Sequence, residues 1–419
     1  VPTLTVANFD AITEDSDYAN WGSIAGNGTS ASPVRIDMIV EDGSTTGDTA
    51  FGVLHGGFFS SGVQQYVLAA FDDNGVIQSQ SSSNSATIVV CDNTEDLEVL
   101  GLQNNRNSDV TFEQVNWGTE ILFEGDGYAN ASEQPKNLGN PDLSEVGFIT
   151  ANFFEAGANA FVRITNQGVE LGQNEDAEDG YDADGERVLD VAGITVTNAD
   201  RLRIAVEDGD AVVNAVNGDD VERVIVTGPE DVKLIIEGVD GDDGTGLDSD
   251  DLLSIDGSGV VGVFSLCFSD DADLSGVVLT GVDAITLTDG ATLTMTGDQA
   301  FEFQGLISDD DSGTELVVVE MGEQAIDFSA IDVDNIGDIT FSDVDGTITV
   351  DPATDFGDAD SVEIVAEGSD TTVQMTFAQF GTIDGGDVDV EEDNGFDATL
   401  ALTDIPTDAD VDLGSIGSG

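Results

Sequence analysis

Between residues 277 and 303 the apolar positions come in pairs, i and i+2, that advance by eight: Val277 and Leu279, Ile285 and Leu287, Leu293 and Met295, Phe301 and Phe303. Such a pair sets two side chains on one face of an extended strand, and the polar stretches between the pairs, TDGA and TGDQ among them, supply turn residues. The pattern predicts short strands that all face one core. It also recurs at longer range, since ADLSGVVLTGVDAITLTD at 272–289 is echoed 54 residues later by IDFSAIDVDNIGDITFSD at 326–343. The apolar pattern is better kept than the letters, as a repeated structural unit requires.

Related phrases extend the pattern in both directions: GITVTNADRLRIAV at 193–206, VERVIVTGPEDVKLII at 221–236 and SVEIVAEGSDTTVQMTFAQF at 361–380, the last an echo of LTMTGDQAF at 293–301. Their spacing varies, with Ile194 to Val224 separated by 30, Val224 to Ile285 by 61 and Ile285 to Ile339 by 54. A strand pair with one apolar face cannot bury that face alone, so stacked coils with loop insertions are expected: a β-solenoid over residues 190–405, followed by a tail at 406–419. A string of antiparallel β-sandwich domains is the rival, and periodicity alone does not separate the two.

Residues 1–171 read differently. VRIDMIV, QQYVLAAF, ATIVV, TEILFEG and NAFVRITN are short β-branched or aromatic runs between Gly, Asn, Ser and Asp turns. They predict one or two β-sandwich-like domains with antiparallel strands. The acidic stretch GQNEDAEDGYDADGER falls within 172–189 and is expected to be a linker or a long loop. The whole chain is therefore expected to be all-β.

In the repeat region, VDAITLTDGATLTMTGDQAF at 282–301 and IGDITFSDVDGTITVDPATDF at 336–356 resemble the secreted, lysine-poor β-solenoid proteins of bacterial surfaces, the S-layer proteins and large repeat adhesins. The resemblance covers about residues 190–400, and it implies calcium binding and assembly outside the cell. The chain departs from the calcium-binding nonapeptide G-G-x-G-x-D, offering only GGDVDVEED at 385–393, so a calcium β-roll is not implied.

Charge narrows the partners. Nine Lys+Arg stand against 86 Asp+Glu, for a net charge of −77. A field of that sign repels phosphate backbones and anionic membrane surfaces, which argues against nucleic acid and membrane partners. It also needs screening, by salt or by divalent cations, because like charges at this density push a compact state apart. The acids concentrate where the chain repeats: 22 lie in the first 150 residues and 86 − 22 = 64 in the remaining 269. The longest apolar run, residues 259–268, is about half of what a membrane-spanning helix needs. The opening VPTLTVANFD has neither the basic start nor the apolar core of a signal peptide. Cys91 and Cys267 do not make a disulfide framework, and Cys267, inside GVVGVFSLCF, is expected in the core.

Carboxylates at alternate positions near a glycine are the candidate chemistry. Calcium takes roughly six to eight oxygens at about 2.3–2.6 Å, and a turn with Asp at i, i+2 and i+4 can wrap one ion. Four clusters fit this description: Asp182, Asp184 and Glu186; Asp240, Asp242, Asp248 and Asp250; Asp270, Asp271 and Asp273; and Asp309, Asp310 and Asp311. Solvated acidic loops have the same composition. Catalysis is not expected. The single histidine, His55, sits among glycines and aromatics, and Arg201, Arg203, Arg223 and Lys233 are expected to pair with neighbouring acids. The sequence thus points to a non-enzymatic structural protein, a surface layer, filament or adhesin. Its partner would be other copies of itself, as homo-polymer or homo-oligomer, with a surface glycan or an anchor on a cell surface or capsid as further partners. A virion appendage or head-decoration fibre and a β-helix enzyme acting on polysaccharides are the alternatives.

Overall fold

The protein was analysed as a computed structural model, which describes residues 3–7, 35–41, 50–54, 65–69, 84–90, 97–103, 108–124, 145–165, 188–207, 209–218, 220–239, 246–249, 251–288, 290–309, 315–319, 325–331, 338–342, 346–356, 361–366, 370–383, 388–392, 397–407 and 416–418. The chain is all-β with parallel sheets. It divides into two compact units: Val1–Ile235 with Gly244–Phe264 and Leu279–Val282, and Ile236–Asp243 with Ser265–Val278 and Asp283–Gly419.

In the first unit one sheet runs Thr3–Ala7, Arg35–Glu41, Gln65–Ala69, Val99–Gln103, Glu120–Glu124, Ala158–Thr165, Ala199–Val206, Arg223–Gly228 and Ser254–Val260, with every neighbouring pair parallel. A second parallel sheet runs Ala50–Leu54, Asn84–Val89, Ser108–Val115, Glu145–Phe153, Val188–Thr197, Asp210–Val213 and Val232–Ile236. From Arg35 onward the chain alternates between these two sheets, and each strand lies beside the previous strand of its own sheet. The segments read as strands in residues 1–171 are strands, but the antiparallel pairing expected for a sandwich is corrected to parallel. The physical reason is visible in their burial. In Glu120–Glu124 the side chains of Ile121, Leu122 and Phe123 are all buried, a strand with both faces covered rather than one face in water. Of the expected linker 172–189, residues 172–187 lie outside the described residues, and the strands on either side, Ala158–Thr165 and Val188–Thr197, belong to different sheets of the same unit.

Parallel register turns the apolar alternation into columns. Leu100, Ile121, Val162, Ile204 and Val226 are successive partners and each is fully buried at 0 % exposure. Burying a side chain of this kind is worth about 1.5–3 kcal/mol, and the column repeats that gain at each strand.

The second unit follows the same rule. Its longest sheet runs Ala272–Asp273, Thr292–Thr296, Glu315–Val319, Asp338–Ser342, Ser361–Ala366, Val388–Glu392 and Ile416–Ser418, all parallel. Phe264–Phe268, Ala284–Leu287 and Ile307–Asp309 form a second ladder, and Gly346–Thr349, Thr371–Thr376 and Ala398–Thr403 a third. Met295, Val318, Phe341 and Ile364 make a column at 0 % exposure. Beside it Phe356 stacks on Phe328 at 5.7 Å and meets Phe341 edge-on at 6.4 Å. Cys267 is buried at 3 %, as its apolar surroundings predict.

Two sequence readings change here. Phe301 and Phe303 are not a strand pair but lie on the helix Gly297–Phe303, where Phe303 is buried and Phe301 is exposed. The reason is a capping box: the Thr296 hydroxyl accepts the Gln299 N–H while the Gln299 side chain accepts the Thr296 N–H, which starts a helix where the eight-residue step predicts a strand. The offset of 54 is also not a pairing interval. Ile285 pairs with Leu266 and Ile307, Ile339 with Leu316 and Val362, so the two copies lie in different sheets.

Candidate functional site: strand-start carboxylates and an arginine face

Carboxylates at strand starts are part of the ladder. Asp210 Oδ1 accepts the N–H of Asp231 at 2.9 Å, and Asp231 Oδ1 accepts the N–H of Val263 at 2.6 Å. Asp271 does the same for Thr292 at 2.8 Å and Asp370 for Asp397 at 3.0 Å. In each case the acid stands just before or at the first ladder residue, and its oxygen takes the N–H of the residue opposite on the next strand. A second use is local: Asp256, Asp273 and Asp351 accept the N–H two residues on, from Ser258, Ser275 and Ala353, the first within the strand Ser254–Val260 and the other two where a strand ends. Hydrogen bonds to a charged acceptor contribute about 1.5–3 kcal/mol each, so these acids are structural before they are anything else.

The expected cation ligands distribute as follows. Asp182, Asp184, Glu186, Asp240, Asp242, Asp250, Asp310 and Asp311 lie outside the described residues, as do His55 and Cys91, and Asp309 is described only as the last residue of a strand. Asp248 caps a turn with its backbone carbonyl, which accepts from Leu252 at 2.9 Å. Asp270, Asp271 and Asp273 each take a different backbone N–H, from Asp271, Thr292 and Ser275. Among the described residues no group of three or more His, Cys, Asp or Glu side chains is placed to hold a metal ion.

The fold does gather cations, which spacing along the sequence only partly shows. Arg163, Arg201, Arg203 and Arg223, four of the nine basic residues, alternate with buried apolar residues on three adjacent strands of one sheet, on its outer face. Arg163 is paired: its Nε donates to Glu120 at 2.5 Å and its Nη1 to Glu207 at 3.2 Å. Burial pulls its pKa down, but the hydrogen bonds and charges of Glu120 and Glu207 outweigh that and hold the guanidinium above its ordinary value. Arg203 lies over the Phe161 ring, 5.5 Å from its centroid. Arg201 and Arg223 are register partners, both exposed, and among the described residues neither guanidinium has a hydrogen bond or ion pair. The expected pairing of these two with acids is thereby corrected. An arginine's neighbours across a sheet are set by register, and the residues opposite Arg201 are Asn159 and Arg223, not acids.

Comparison with models of protein families, with characterised proteins and with solved structures gave no match to this chain.

Proposed function

We propose that the chain is a β-solenoid that serves as a non-enzymatic structural element of an extracellular assembly, polymerising into a surface layer or filament. One observation carries the reading: the chain alternates between sheets whose every ladder is parallel, with apolar columns running through successive strands. An antiparallel sandwich string has no such columns along consecutive strands. Stacking of this kind adds apolar burial with each rung, which suits scaffolding.

Stacked coils bury their apolar faces against neighbouring coils, and a second copy of the chain offers the same kind of neighbour. Acidic faces would then be held in register by salt or by divalent cations shared between chains, calcium being the expected ion. Asp210, Asp231, Asp271 and Asp370 accept backbone N–H groups at strand starts, a structural use in keeping with this reading.

Negative-stain microscopy with light scattering, in millimolar calcium, in chelator and in molar sodium chloride, tests the proposal. Ordered polymers in calcium or high salt that dissociate in low-salt chelator are expected. A monodisperse particle in all three conditions overturns it.

A further inference from the structure

We infer that one bend of the first unit, with the arginine face beside it, is a binding strip for a uronate-bearing polysaccharide. The inference does not depend on polymerisation.

The bend is built by parallel register. Strands Ser108–Val115 and Glu145–Phe153 are neighbours with Val115 opposite Phe153, and the Phe154 N–H donates to the Val115 carbonyl at 3.0 Å. The turns that follow, carrying Trp117 and Phe154, therefore lie side by side before the chain enters the other sheet. Both aromatic side chains are largely in water, at 65 % and 69 % exposure. A single exposed aromatic is ordinary; two on adjacent rungs of one bend form a patch. The next rung turns at Asn198, whose side-chain amide donates to the Phe153 carbonyl at 3.0 Å, so the row of bends is continuous.

Just past that row stand the cations. Arg201 follows the Asn198 turn, and its register partner Arg223 lies on the next strand, about 4.8 Å away. Like charges directly opposite on neighbouring strands destabilise a sheet. Among 86 acidic residues a compensating carboxylate would be easy to place, and among the described residues none forms an ion pair with either arginine. Arg203, held against Phe161, extends the same face by two residues. The ligand that answers these features has a carboxylate on successive residues and flat apolar ring faces between them. Arginine pairs bidentately with carboxylates, and aromatic rings cover the faces of sugars. An acidic protein surface would answer the arginines but leave Trp117 and Phe154 in water. The net charge of −77 opposes any polyanion at long range, yet at about 0.15 M salt interactions beyond about 8 Å are largely screened.

The test is affinity electrophoresis of the full chain at 0.15 M sodium chloride in gels containing polygalacturonate or neutral dextran. Variants are Arg201→Ala/Arg223→Ala, Arg201→Lys/Arg223→Lys and Trp117→Ala/Phe154→Ala, with circular dichroism and melting to show that each exposed-site variant is folded. Polygalacturonate is expected to retard the native chain and dextran not to. The alanine pair should weaken retardation about ten-fold or more, the lysine pair less, because it keeps charge but loses the fork. The aromatic pair should also weaken it. Absence of retardation, or retardation that the arginine variants leave unchanged, overturns the inference. So does a double-arginine variant that only disperses associated chains in sedimentation, which would make the face a contact between copies.

Discussion

Gln379 shows what a single residue does in this fold. Its amide is buried at 5 % exposure, donates to the carbonyls of Asp351 at 2.7 Å and Thr354 at 3.1 Å, and accepts the N–H and hydroxyl of Thr376. Gln299 repeats the arrangement, donating to Leu274 and Val277 and accepting from Thr296. Each glutamine thus ties a short helix to the turn of the preceding rung, through carbonyls three residues apart. A glutamate in its place has the same shape and no donor. Gln379→Glu is therefore expected to destabilise by about 2–4 kcal/mol, at least as much as Gln379→Ala, because two buried carbonyls lose their partner and face a carboxylate. Urea unfolding of the two variants decides it; a neutral Glu variant would mean that the side chain only fills space. The echo between TGDQ and TFAQ was legible in the sequence, but its meaning was not. The carbonyls that the two amides reach lie 22 to 28 residues away, and nothing local marks them as acceptors.

At the scale of the element, the unit of construction is the rung. In the second unit Leu293, Leu316, Ile339 and Val362 are successive register partners, and 316 − 293, 339 − 316 and 362 − 339 all equal 23. Removing residues 317–339 joins Leu316 to Thr340 and leaves Phe341 where Val318 stood, apolar inward and polar outward. That variant is expected to keep a cooperative melt and a β-type circular dichroism spectrum. Removing only residues 317–328 brings the next strand in half a rung out of step, and downstream packing is expected to fail, visible as rapid proteolysis of the second unit. Equal behaviour of the two deletions would show that the 23-residue interval is not the structural repeat. Strand existence was legible, since Leu293 with Met295 and Ile285 with Leu287 are buried as alternation requires. The rung length was not, because the most similar phrases, 54 apart, sit in different sheets, while true partners such as Ile339 and Val362 lie in phrases of little identity. Nor was the parallel order of residues 1–171 legible. Loops of unequal length separate partners there, with Ile121 to Val162 spanning 41 residues and Leu100 to Ile121 only 21, and periodicity needs equal steps. For the site, the sequence marked Asp271 only as one acid of a cluster; that its oxygen takes the Thr292 N–H follows from register, and Asp210, Asp231 and Asp370, which bond in the same way, were not in the marked clusters.

For the whole molecule the governing quantity is the charge of −77. Stacked rungs place carboxylates on neighbouring strands about 4.8 Å apart, within reach of one another at any ordinary ionic strength. The screening length falls from about 30 Å at 0.01 M salt to about 3 Å at 1 M, so repulsion between rungs is strong in dilute buffer and slight in brine. The hydrogen-bonded acids at strand starts remain favourable throughout, because their acceptors face backbone N–H groups and not water alone. Stability should therefore climb steadily with sodium chloride, with the melting temperature rising several degrees for each roughly tenfold increase in concentration. Millimolar calcium at a fixed ionic strength of about 0.1 M separates two sources of relief. Diffuse screening predicts no change beyond that of matched sodium chloride. Ion bridging by carboxylate clusters predicts a further rise that chelator reverses, since a bound ion stabilises the folded state by mass action. Scanning calorimetry across both series reads the difference directly. A melting temperature that ignores salt would mean that the acids are spaced widely enough not to repel, and the case for cation-assisted assembly would fall with it.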